Sequence, residues 1–119
     1  MGFFANSAET RELHKNEKLR TRYYRNGIKQ IKNVLEKICT EEDMQLQQYD
    51  ERWGDIYICA YGFEVFVSVA QVTPIESGID LKVNYFSTFG FNRPEKKIVH
   101  LYERLDKMLT FKGTMLHVK

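Results

Sequence analysis

The chain has 119 residues, 43% of them hydrophobic and 29% charged, with two prolines and a formal net charge of +2. That length supports one core rather than two, and the composition reads as a soluble globular chain rather than a disordered one. No apolar run approaches the ~20 residues of a membrane-spanning helix, no secretory pattern stands at the start, and Cys39 and Cys59 have neither Cys-x-x-Cys nor metal-ligand spacing. The expectation is one soluble, cytoplasmic domain over 1–119, with free buried thiols and no membrane partner.

The small net charge conceals a division. Residues 1–40 carry nine Lys or Arg against four acids, residues 41–80 only Arg52 against nine acids, and residues 81–119 eight against three. The protein is basic, acidic, then basic.

The first residues, Met1-Gly2-Phe3-Phe4-Ala5-Asn6-Ser7, fall short of a myristoylation signal because Asn6 stands where Ser or Thr is required. Phe3 and Phe4 are expected to fold back onto the core. Arg11, Lys15, Lys18, Arg22, Arg25, Lys29 and Lys32 then follow one another at alternating spacings of four and three. At about 100° per residue this is one stripe of a helix. Leu13, Tyr24, Ile28, Ile31, Leu35 and Ile38 fall on the opposite side, and Asn6 with Glu9 resembles a capping box.

Asn26-Gly27 ordinarily marks a turn, but the basic stripe keeps its phase through it. The spacing therefore predicts one long N-terminal helix over about 7–39, with Gly27 on the apolar side where a strand can approach closely. A break at Gly27 is the alternative. Such a helix spans about 50 Å and outruns a domain with a radius of gyration near ~14 Å. Asn16, Glu17 and Arg20 occupy its apolar side, so the N-terminal half is the expected overhang.

The acidic block reads as strands within about 43–87. Met44 and Leu46 alternate with glutamines, Ile56–Tyr61 and Phe63–Val72 are β-branched and aromatic runs, and Ile79, Leu81, Val83 and Tyr85 alternate with polar residues. Turns at Trp53-Gly54-Asp55, Gly62 and Thr73–Gly78 make these a four-stranded antiparallel meander. Asn92, Pro94 and Glu95 open a C-terminal helix over about 93–109, its apolar side Ile98, Leu101, Tyr102, Leu105, Met108 and Leu109. Gly113 ends it, and Thr114–Val118 is an edge strand or a tail. Helix, strands, helix is an α+β, two-layer domain with both helices on the same sheet face.

Chemistry-bearing motifs are scarce. His14, His100 and His117 stand at no ligand spacing, so neither metal nor cofactor is expected. Catalysis is not expected either; it would need a cleft uniting distant residues such as Tyr61, Glu64 and His100. Glu41, Glu42 and Asp43 oppose the dipole at a helix C-terminus, which calls for a cationic partner or the chain's own basic stripes. Two surfaces remain. The basic stripe suits a nucleic acid or an acidic protein. The bare sheet face, with Tyr57, Tyr61 and Phe66, suits homodimerisation or a small apolar ligand. The sequence reading is a non-catalytic, self-associating interaction domain, with nucleic-acid binding by the N-terminal helix as its alternative.

Overall fold

The computed structural model describes residues 6–87 and 89–114. The expectation for Phe3 and Phe4 lies outside the described residues. In chain order the elements are β1 (Asn6–Glu9), a single 3-10 turn (Glu17–Leu19), β2 (Arg22–Tyr24), α1 (Ile28–Glu41), β3 (Gln45–Asp50), β4 (Asp55–Ala60), β5 (Phe63–Thr73), β6 (Glu76–Tyr85), α2 (Arg93–Met108) and β7 (Phe111–Gly113). The fold is α+β, with two helices and a seven-stranded antiparallel sheet.

The long N-terminal helix over 7–39 does not form, and its overhang disappears with it; only its last third, α1, is helical. The reason lies in β6. This ten-residue strand has one side paired along its length to β5, and its other side requires partners for its backbone groups. β1 takes the half from Lys82 to Tyr85, and β2 takes Ser77 to Ile79. The segment between them, Thr10 to Thr21, loops away. Its polar side at Asn16, Glu17 and Arg20 offers no apolar contact to stabilise a helix. Asn6 is likewise no helix cap. It begins β1, and its side-chain amide reaches the Gly90 carbonyl at 3.3 Å.

The helix starts where the turn signal stood. Asn26 is buried; its Nδ2 donates to Gln30 at 2.8 Å, its Oδ1 accepts from the Thr110 backbone N–H at 2.8 Å, and its carbonyl accepts from Ser77 Oγ at 2.9 Å. Gly27 is the N-cap of α1. A Cβ there would stand 3.3 Å from the Pro74 carbonyl oxygen, so a close approach does occur at this glycine, made by the β5–β6 turn.

The strands β3 to β6 run as consecutive antiparallel neighbours, but the sheet they belong to is wider than four strands, with order β3-β4-β5-β6-β2-β7 and β1 beside β2 on β6. The three extra strands are short pieces of the two basic blocks, too brief to show alternation. One of them, β7, includes Gly113, which therefore lies within the sheet. α2 closely matches its expected span, although Asn92 enters it in the left-handed region (φ 58°) without a side-chain cap.

A single hydrophobic cluster fills the space between helices and sheet. Ile31, Leu35 and Ile38 of α1 and Ile98, Leu101 and Leu105 of α2 meet Ile56, Ile58, Val65, Val67, Ile79, Leu81 and Val83, all at most 2% exposed. Ile56 and Ile58 thus face inward, and the alternate positions of β4 and β5 face out.

Candidate functional site

The seven cations of the expected stripe do not share a face. Arg11, Lys15 and Lys18 lie in the Thr10–Thr21 excursion, Arg22 in β2, Arg25 in the turn, and Lys29 and Lys32 on α1. Several are committed to acids of the same chain. Arg22 makes a bidentate pair with Asp106 of α2 (2.6 and 3.2 Å) and lies 4.0 Å from the Phe111 ring centroid. Arg25 is 3.8 Å from Glu76, Lys29 is 3.9 Å from Glu51, and Lys32 is 2.9 Å from Glu36. Only Lys29 and Lys32 have a helix through which their spacing can act.

The acidic run after α1 finds its cations within the chain. Glu42 accepts from Arg104 Nη1 at 2.6 Å and pairs with His100 Nε2 at 2.7 Å, while Glu41 also pairs with Arg104. Burial pushes the Glu42 carboxyl up, but the bonds to His100 and Arg104 outweigh it and hold the group below the usual carboxylate range. These contacts tie the end of α1 to α2.

The outer face of the sheet carries the second candidate surface. Both helices lie on the other side. Tyr57 and Phe66 are cross-strand partners on β4 and β5, with ring centroids 5.0 Å apart. Phe66 is 42% exposed. Beside them is a shallow depression of about 590 Å³ whose polar lining is Gln48, Asp50, Asp55 and Ser68. Tyr57 donates its hydroxyl to Glu64 (2.8 Å), which also accepts from Asn84 (2.9 Å). Tyr61 does not join the pair. It sits in the β4–β5 turn, fully exposed, at the end of the sheet.

Sequence reasoning missed Tyr23 as part of this face. Its ring crosses β6 at Gly78, where a Cβ would stand 2.6 Å from Tyr23 Cε1, so only glycine leaves room. The Tyr23 hydroxyl donates to Glu12 at 2.9 Å, and burial with that carboxylate pushes it up to about 12. The excursion thus covers the β2 end of the face and leaves the Tyr57–Phe66 end open. By strand alternation the face presents Glu9, Asp50, Asp55, Glu64 and Asp80, with Lys82 as a cation opposite Phe66. It is acidic.

Tyr61, Glu64 and His100 are not brought together. Glu64 is on the outer face, Tyr61 in a turn, and His100 on α2 across the sheet. Cys39 is buried, which raises its thiol to about 11 and leaves it a poor nucleophile. Cys39 and Cys59 are both free thiols. Among the described residues no helix is long and apolar enough to cross a membrane. Compared with protein-family models, with curated proteins and with solved structures, the chain matches none of them.

Proposed function

We propose that the protein is a non-catalytic interaction domain that docks a cationic partner on the open end of its outer sheet face. The observation that carries this reading is the Tyr57–Phe66 pair beside a depression edged by Asp50 and Asp55. Aromatic rings supply contact area at small entropic cost, and the acids select for Lys or Arg on the incoming chain. A basic peptide that carries an aromatic or aliphatic anchor satisfies both.

The test is amide chemical-shift mapping with such a peptide, Lys-Tyr-Lys-Val-Arg. Shifts should concentrate on Gln48, Asp55–Tyr57 and Phe66–Ser68, and Tyr57→Lys or Phe66→Lys should abolish them. Shifts confined to the helices, or binding indifferent to both substitutions, would sink the reading.

Self-association through the same face is the second reading. Lys82 stands directly opposite Phe66 in register, so a two-fold copy has one cation to set against the acids that would otherwise repel across the axis. Light scattering at micromolar concentration separates the two, since only this reading expects a dimer that Phe66→Lys dissolves. Nucleic-acid binding relied on a single basic helix face, and cations dispersed over a loop, a strand, a turn and α1, with Arg22, Arg25, Lys29 and Lys32 beside acids, give it no support.

A further inference from the structure

At the end of the sheet opposite the Trp53 turn, four aromatic side chains point away from the body. Tyr61 is 102% exposed, Phe86 68%, Phe89 82% and Phe91 86%. Their backbones are anchored to one another. Phe86 N–H donates to the Gly62 carbonyl at 3.0 Å, which ties the β6–α2 loop to the β4–β5 turn. Asn6 Nδ2 lies 3.4 Å from the Phe89 carbonyl and 3.3 Å from that of Gly90, tying the loop to β1. Immediately behind, Phe63 and Tyr85 stack at 5.0 Å, with Lys97 4.8 Å over the first ring and Arg93 4.3 Å over the second.

This end therefore has projecting rings in front, with Arg93 and Lys97 directly behind them over Tyr85 and Phe63. Tyr61 stands on the β4–β5 turn and Phe86, Phe89 and Phe91 on the neighbouring β6–α2 loop, so exposed rings project from two segments. A rigid partner would need a separate pocket for each ring, whereas a bilayer interface yields to them. A second copy meeting tip to tip would oppose cation with cation. We propose that this end is a membrane-contacting tip: Tyr61, Phe86, Phe89 and Phe91 enter the interfacial layer of a bilayer, and the cations at the start of α2 lie among anionic headgroups. The expectation of no membrane partner came from the lack of a spanning segment, and a surface-bound protein needs none.

The experiment is co-sedimentation with vesicles of phosphatidylcholine, alone or with about a quarter phosphatidylserine. The wild type should bind the anionic vesicles on the order of tenfold more tightly or better, because each cation near such a surface adds attraction. Arg93→Gln with Lys97→Gln should erase most of that preference. Phe86→Ser, Phe89→Ser and Phe91→Ser together should cut binding by about tenfold or more, and far-UV circular dichroism should stay unchanged because all three side chains are exposed. For insertion itself, Phe91→Trp in a Trp53→Phe background should give an emission that shifts blue with anionic vesicles and is quenched by brominated lipid. Wild-type Trp53, at the far end of β4, should not respond. The proposal fails if neither vesicle binds the wild type, if the triple variant still binds, or if Trp53 responds instead of position 91. It also fails if the triple substitution abolishes self-association while lipid binding is absent, since the tip is then a protein interface.

Discussion

Gly54 sits in the β3–β4 turn at φ 75°, and a Cβ there would stand 2.0 Å from the Val69 carbonyl oxygen. Its carbonyl accepts from Val69 N–H at 2.7 Å, so the turn is bonded to β5 and cannot withdraw. Gly54→Ala should cost at least about 2 kcal/mol in urea unfolding, combining the left-handed conformation with a steric clash. Asp106 holds a different kind of contact. It accepts from Tyr24 at 2.7 Å and from both arms of Arg22, and burial together with this carboxylate drives the Tyr24 hydroxyl far above its ordinary value. Asp106→Ala leaves a half-buried guanidinium and a buried hydroxyl without their acceptor, at about 2–3 kcal/mol. Tyr24→Phe should cost about 1 kcal/mol, since it removes one donor and strands none. Tyr24 is buried as expected, but as a residue of β2 rather than by helical phase with Ile28 and Ile31, and its acceptor, 82 residues away, was not legible at all.

At the scale of elements, α1 and α2 were readable because each keeps a 3.6-residue period over more than three turns. Their connection was legible only as the demand of Glu41 and Glu42 for cations; that His100 and Arg104 of α2 supply them was not. The His100 and Arg104 contacts of Glu42 set an acid limit on it. Glu42 titrates below its reference value of 4.5 in the folded chain, so the unfolded chain takes up its proton first as pH falls. Its contribution to stability is complete above about pH 4.5 and disappears as pH drops through the lower folded value. Urea midpoints should therefore decline below that pH, and Glu42→Gln should flatten the decline while lowering the plateau. A wild-type midpoint constant down to the lowest pH at which the chain stays folded would refute the coupling.

For the whole molecule, one hydrophobic cluster joins both helices to β4, β5 and β6. Unfolding should be a single transition, with Trp53 emission and far-UV dichroism coincident. Its alkaline limit comes from the tyrosines around β2. Tyr23 is raised from 10.0 to about 12, and burial raises Tyr24 and Tyr102 further. These groups stay protonated in the folded chain while the unfolded chain releases its protons near pH 10. Stability is thus full below about pH 10 and declines as pH rises above it. Melting temperatures should hold to that point and then fall, and Tyr23→Phe should soften the fall.

Local periodicity determined what local periodicity can. The apolar side of α1 (the last third of the expected helix), the alternation of β4 to β6 and the apolar side of α2 follow from side-chain direction along a helix or strand, which neighbours in sequence establish by themselves. The N-terminal block obeyed a helical spacing of charge and still became two strands and a loop. Lys and Arg on an outer face contribute little to stability, whereas the open side of β6 needed hydrogen-bond partners that β1 and β2 supply. Tertiary structure alone decided that competition. It also decided which face of the sheet stays bare, that Tyr57 and Phe66 pair there while Tyr61 does not, and that Tyr61 instead joins Phe86, Phe89 and Phe91 at one end. Each of these is a contact between residues whose separation along the chain carries no period to read.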